Sequence, residues 1–155
     1  MKSTKTLAAL AIFLLSLAPG VHAACSNASA AGSFGFTTNG TLFLPIGPAP
    51  VAAVGSINFD RDGRTTGSQD RSVAGDVAHE TLTGTLSVNR DCSLTLVADV
   101  FDTSGNLVRT SMIQGVLVNN GKQIRAIFES VVLPDGTSLR AVLMTDADRI
   151  RGDSD

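Results

Sequence analysis

The stretch HETLTGTLSVNRDCSLTLVADVF, His79 to Phe101, decides the fold. In its first half Leu82, Gly84, Leu86 and Val88 alternate with Thr81, Thr83, Thr85 and Ser87. Successive strand side chains point to opposite faces, so this period of two describes a strand with one face on a core. Asn89-Arg90-Asp91 turns the chain at Cys92, and Leu94, Leu96, Ala98 and Val100 resume the alternation. Two strands joined by so short a turn lie antiparallel.

The same grammar extends outward in both directions. Upstream, Gly32 to Phe43 reads as a strand with Phe34 and Phe36 on one face. Pro45, Pro48 and Pro50 then predict a loop, because proline has no N–H for a sheet ladder. From Val51 the residues Val51, Ala53, Gly55, Ile57 and Phe59 share a face, up to a hairpin turn at Asp60-Arg61-Asp62-Gly63. Arg64 to Val73 is polar on both faces, which suits an edge or a strand between water and a wet cavity. Downstream, strands are expected at Leu107 to Val118, Gln123 to Leu133 and Ser138 to Thr145, separated by Asn119-Asn120-Gly121 and Pro134-Asp135-Gly136. The total is about eight strands with tight connections. An all-β, antiparallel up-and-down barrel is the simplest arrangement, since closure removes exposed edges. A two-sheet β-sandwich is the alternative.

Three segments carry a resemblance: GSFGFTTNGTLF (Gly32 to Phe43), GSINFDRDGRTTG (Gly55 to Gly67) and GTLSVNRDCSLTL (Gly84 to Leu96). In their order they resemble small secreted bacterial proteins of unknown role with calycin-like barrels of the allene oxide cyclase type. The likeness rests on glycines, turns and alternation, which encode a fold, and it carries over no catalytic residue.

The N-terminus reads as an export signal. Lys2 and Lys5 precede an apolar run from Leu7 to Leu17, eleven residues with only Ser16 polar. Pro19-Gly20 breaks the run, and Val21-His22-Ala23 supplies a small-x-small cleavage pattern. The run is too short to cross about 30 Å of hydrocarbon. The expected organisation is a signal peptide at 1–23, a barrel domain at 24–145 and a charged, frayed tail at 146–155. A lipid anchor on Cys25 is the rival, though His22 suits such a site poorly. Cys25 and Cys92 are the two cysteines of the exported part, and an oxidising compartment favours their pairing. Periplasm and external medium begin with the same signal.

Composition excludes more than it assigns. Without Lys2 and Lys5, ten basic residues face fourteen acidic ones, a net charge of −4, and the basic residues are scattered. Nucleic acid is therefore not an expected partner. No membrane span is expected after signal cleavage, and no metal or cofactor. His79 is the sole histidine after the signal, and neighbouring Glu80 would point to the opposite face of a strand, so a Ser-His-acid site has no support. Asp60-Arg61-Asp62-Gly63 lacks the further oxygen ligands of a calcium loop.

Two candidates for chemistry survive. Asp99 and Glu129 sit inside apolar strands, and a carboxylate on an interior face would have the raised pKa of a general acid. Arg125 shares the face of Glu129 and offers an ion pair. The opposite faces, Leu94, Leu96, Ala98, Val100 and Ile124, Ala126, Phe128, Val132, make a cleaner core and would leave those carboxylates in solvent. The other candidate is a cavity for a small apolar molecule. Ala53, Gly55, Gly84, Ala98, Gly115, Ala126 and Ala141 are small inward residues, and Phe34, Phe36, Phe59, Met112 and Phe128 would line the space. With no Trp or Tyr, carbohydrate stacking is disfavoured.

Overall fold

The computed structural model describes residues 24–150; the expected signal peptide lies outside the described residues, as does the end of the expected tail. A short helix, α1 (Asn27–Ala30), precedes eight strands: β1 (Gly32–Leu44), β2 (Gly47–Phe59), β3 (Arg64–Val73), β4 (Asp76–Val88), β5 (Ser93–Phe101), β6 (Leu107–Val118), β7 (Gln123–Val132) and β8 (Ser138–Arg149). Each strand pairs antiparallel with its successor, and β1 pairs with β8 from Phe34↔Arg149 to Phe43↔Arg140, closing the sheet into a barrel. The up-and-down barrel is thus the fold, and the sandwich is not.

Alternation places the core as read. Phe34, Phe36, Ile57, Phe59, Leu82, Leu86, Leu94, Leu96, Ala98 and Val100 are all buried inside the barrel. Phe34 and Phe59 meet edge to face at 5.6 Å, and each large apolar side chain so buried contributes roughly 1.5–3 kcal/mol. The hairpin at Asp60 forms as expected, its Oδ1 accepting from the backbone N–H of Asp62 (2.9 Å) and Arg64 (2.8 Å).

Three expectations need correction. Pro48 and Pro50 lie within β2, opposite Phe43 and Thr41, rather than in a loop. The Pro50 carbonyl accepts from Ala74 N–H on the β3 side, where β3 has already ended at Val73. A strand residue presents N and O to the same side, so no ladder bond to β1 is lost. Second, the segment from Asp146 is not a frayed tail: β8 continues to Arg149. Alternation persists there, with Ala147 buried, Asp146 bonded to Arg125 and Asp148 to Gln123. Third, the core residue near the end of β7 is Val131, not Val132. The β7–β8 register shifts between Ile127 and Val131, and a bulge exchanges the two faces of everything beyond it.

One end of the barrel is plugged. Cys25 and Cys92 form a disulfide across 67 residues, tying the segment before α1 to the β4–β5 turn. The Asn27 carboxamide oxygen accepts from Val88 N–H at 2.8 Å, and Ala30 is wholly buried. Arg149 donates to the carbonyls of Ser29 (3.0 Å), Gly121 (2.8 Å) and Ala31, and its guanidinium lies 4.7 Å over the Phe34 ring. At the opposite end, the rim, the described residues form only the turns between strands.

Candidate functional site

The described residues enclose a smaller and a larger cavity in the barrel interior. The smaller, about 70 Å³, lies towards the plug among Ile57, Leu94, Leu96, Ile124 and Ala147. The larger, about 220 Å³, lies towards the rim among Leu42, Val51, Ala53, Val73, Val131, Leu139 and Leu143. Thr38, Gln69, Arg109 and Phe128 border both and form the partition between them. Thr38 shares a hydrogen bond with Thr145, Oγ1 to Oγ1 at 2.6 Å, which ties β1 to β8 at this level.

The partition is charged. Glu80 occupies the same face of β4 as Leu82 and Leu86 and is only 2% exposed. Its direct partner across the β3–β4 register is Gln69, whose Nε2 donates to Oε2 at 2.7 Å. One inward position further along β3, Arg71 donates from Nε to Oε1 at 2.8 Å. From β6, Arg109 reaches past β5 and grips both oxygens, Nη1 to Oε1 at 2.8 Å and Nη2 to Oε2 at 2.7 Å. The β5–β6 register shifts between Val100 and Phe101, and this bulge turns both Val108 and Arg109 towards the cavity.

Four charge-assisted hydrogen bonds saturate the carboxylate. Burial alone would raise the Glu80 pKa. The hydrogen bonds and charge of Arg109, with the hydrogen bonds of Gln69 and Arg71, outweigh it and lower the value from 4.5 to about 2. Glu80 is therefore a fixed anion at neutral pH and holds two guanidinium groups in place. It has no proton to give and no free lone pair with which to take one.

The residues singled out from the sequence separate clearly. Phe36, Phe59 and Phe128 line the cavities. Phe34 is wholly buried beneath them and lines neither. Met112 also lines neither: it pairs with the exposed Val97 on the outer face of the sheet. Ala53, Ala98 and Ala126 do border the cavities, whereas Gly55, Gly84 and Gly115 leave no space. A Cβ at Gly55 would meet the Ser68 carbonyl oxygen at 2.2 Å and the Phe36 ring at 2.8 Å.

Asp99 and Glu129 are on the outside, away from both cavities. Asp99 accepts from Thr110 Oγ1 at 2.6 Å and Glu129 from Gln114 Nε2 at 2.8 Å. Arg125 pairs with Asp146 at 2.6 Å instead of with Glu129. His79 is exposed, with Nδ1 2.9 Å from Asp70 on the outer surface.

The sequence reading passed over Glu80, Gln69, Arg71 and Arg109 as site residues. A signal for three of them was present: Glu80 has the parity of Leu82, and β3 alternates polar residues into what was read as a wet cavity. Arg109 had none, because the bulge that aims it is a property of strand pairing. Ser111 Oγ, on the inner face of β6 at the smaller cavity, is buried without a hydrogen-bond partner among the described residues.

No protein-family profile matches the chain, and no curated protein matches it. Among solved structures, it is similar to the S-type phycobiliprotein lyase CPES from Guillardia theta, with a TM-score of 0.44 and 8% sequence identity. That alignment covers 82% of this chain and 92% of the other.

Proposed function

We propose that the chain is an exported binding module that holds a small, largely apolar molecule in the rim-side cavity of its barrel. The observation that carries this reading is the 220 Å³ space itself, walled by Leu, Val and Phe side chains with a few polar groups at its floor. Binding sites for small molecules have that make-up, and the mouths of small barrels are a usual place for them. Export rests on the pattern Lys2 to Ala23 and on the disulfide, which oxidising compartments favour. Kinship with secreted calycin-like barrels of the allene oxide cyclase type belongs to the same proposal, on the three glycine-and-turn segments. Native mass spectrometry of the protein secreted by its own host tests it. The expected spectrum shows a chain beginning at Ala24 with a mass excess that disappears on denaturation. A bare chain under native conditions counts against a retained ligand.

One observation favours a second reading, an envelope or interaction protein without a ligand. Ile127 and Met144 are paired on the outer face, and Val142 continues the row along β8; the three are 55%, 60% and 64% exposed. Contiguous apolar surface of this kind marks association sites. Sedimentation of the purified protein distinguishes the two: a stable oligomer dispersed by Met144→Lys supports association, and a monodisperse monomer removes it.

A further inference from the structure

The floor of the rim-side cavity is not electrically neutral. Its lining includes two cations, Arg71 and Arg109, and one anion, Glu80, a net charge of +1. Over the whole sequence acidic residues outnumber basic ones, fourteen to twelve, so the interior carries the opposite sign to the molecule. Glu80 already accepts four hydrogen bonds and has no capacity for the excess positive charge.

The excess is localised on Arg71. It uses only Nε to hold Glu80, and its two terminal nitrogens have no acceptor among the described residues. Its cross-strand neighbours are the short side chains of Ala53 on β2 and Ala78 on β4. The Arg71 side chain lines the cavity and is 24% exposed, and a guanidinium with donors left over is electrostatically complementary to a planar anion.

We propose that the molecule bound in the rim-side cavity is an apolar monoanion, its carboxylate seated on the terminal nitrogens of Arg71 beside Arg109. Its body lies against Leu42, Val51, Val131 and Leu143. At roughly 30 Å³ per water-sized group, the cavity has room for about seven methylene-sized groups, so the class is a short alkyl or aryl carboxylic acid. The inference rests on the binding reading above and specifies the chemistry of that same site.

The test is titration calorimetry of the disulfide-bonded protein, residues 24–155, with hexanoate and with 1-hexanol, which have the same number of carbons and differ in charge. The wild type is expected to bind hexanoate about tenfold or more tightly than hexanol. In Arg71→Gln the ratio of the two affinities falls to within about twofold of unity. Glu80 keeps Arg109 and Gln69 in that variant, and Arg71→Lys, which retains a charge, restores part of the advantage. Equal affinity of the wild type for the two probes overturns the anion assignment and leaves the cavity reading standing. Binding of neither probe overturns both. The wild-type comparison decides the matter even if a variant fails to fold.

Discussion

At the scale of single residues, Glu80 is the centre of the interior. Its folded pKa of about 2 lies below the ordinary 4.5, so its contribution to stability is fully present above pH 4.5. It is lost progressively as the pH falls towards 2. The shift corresponds to about 3 kcal/mol at neutral pH. Glu80→Gln should cost about that much, because it leaves two guanidinium groups inside the barrel without a counter-charge. Urea unfolding at pH 7 is the measurement. Repeated down to pH 2, it should show the gap between wild type and variant narrowing; a gap independent of pH would refute the role given to the ion cluster. Ser111 poses the opposite case. Its hydroxyl is 1% exposed and unpartnered, so Ser111→Ala should stabilise the protein by about 1 kcal/mol in the same assay. A loss of stability would show that the hydroxyl has a partner in solution.

At the scale of elements, the strands were legible and their ends and irregularities were not. β3, β5 and β6 run over the residues that alternation assigned, because one wet face and one buried face impose a period of two on the sequence. The errors at Pro48, Asp146 and Val132 have a shared cause. Whether a proline costs a hydrogen bond, whether charged residues fray, and which parity faces inward after a bulge all depend on the neighbouring strand. The short α1 escaped notice for a related reason: four residues have no periodicity to read. That segment is held by the disulfide, which closes a loop of 67 residues and on chain-entropy grounds is worth about 4 kcal/mol. The double variant Cys25→Ser/Cys92→Ser should lose about 2–4 kcal/mol, read as a lowered thermal midpoint, while its far-ultraviolet circular dichroism still reports a barrel. An unchanged midpoint would mean that the hydrogen bonds of Asn27 and Arg149 suffice to hold the plug.

At the scale of the whole molecule, closure is the decisive event. β1 and β8 are separated by nearly the full described chain, yet they pair over ten registered positions, so the sheet has no edge. Hydrogen exchange should therefore find the β1 and β8 backbone amides as slow as those of β4 and β5. Fast exchange along that seam would contradict closure. The closed wall, plugged at one end, also creates the interior in which a +1 floor and an apolar wall coexist. The sequence by itself determined the all-β class, the number of strands and the face of most apolar residues, because a half-buried strand must alternate. It also limited the chain to one intramolecular disulfide, because it has two cysteines. Only the tertiary structure decided that Gln69, Arg71, Glu80 and Arg109 meet, and that Asp99 and Glu129 do not. Charges on separate strands have no signature in the order of residues, and their meeting depends on register, bulges and closure.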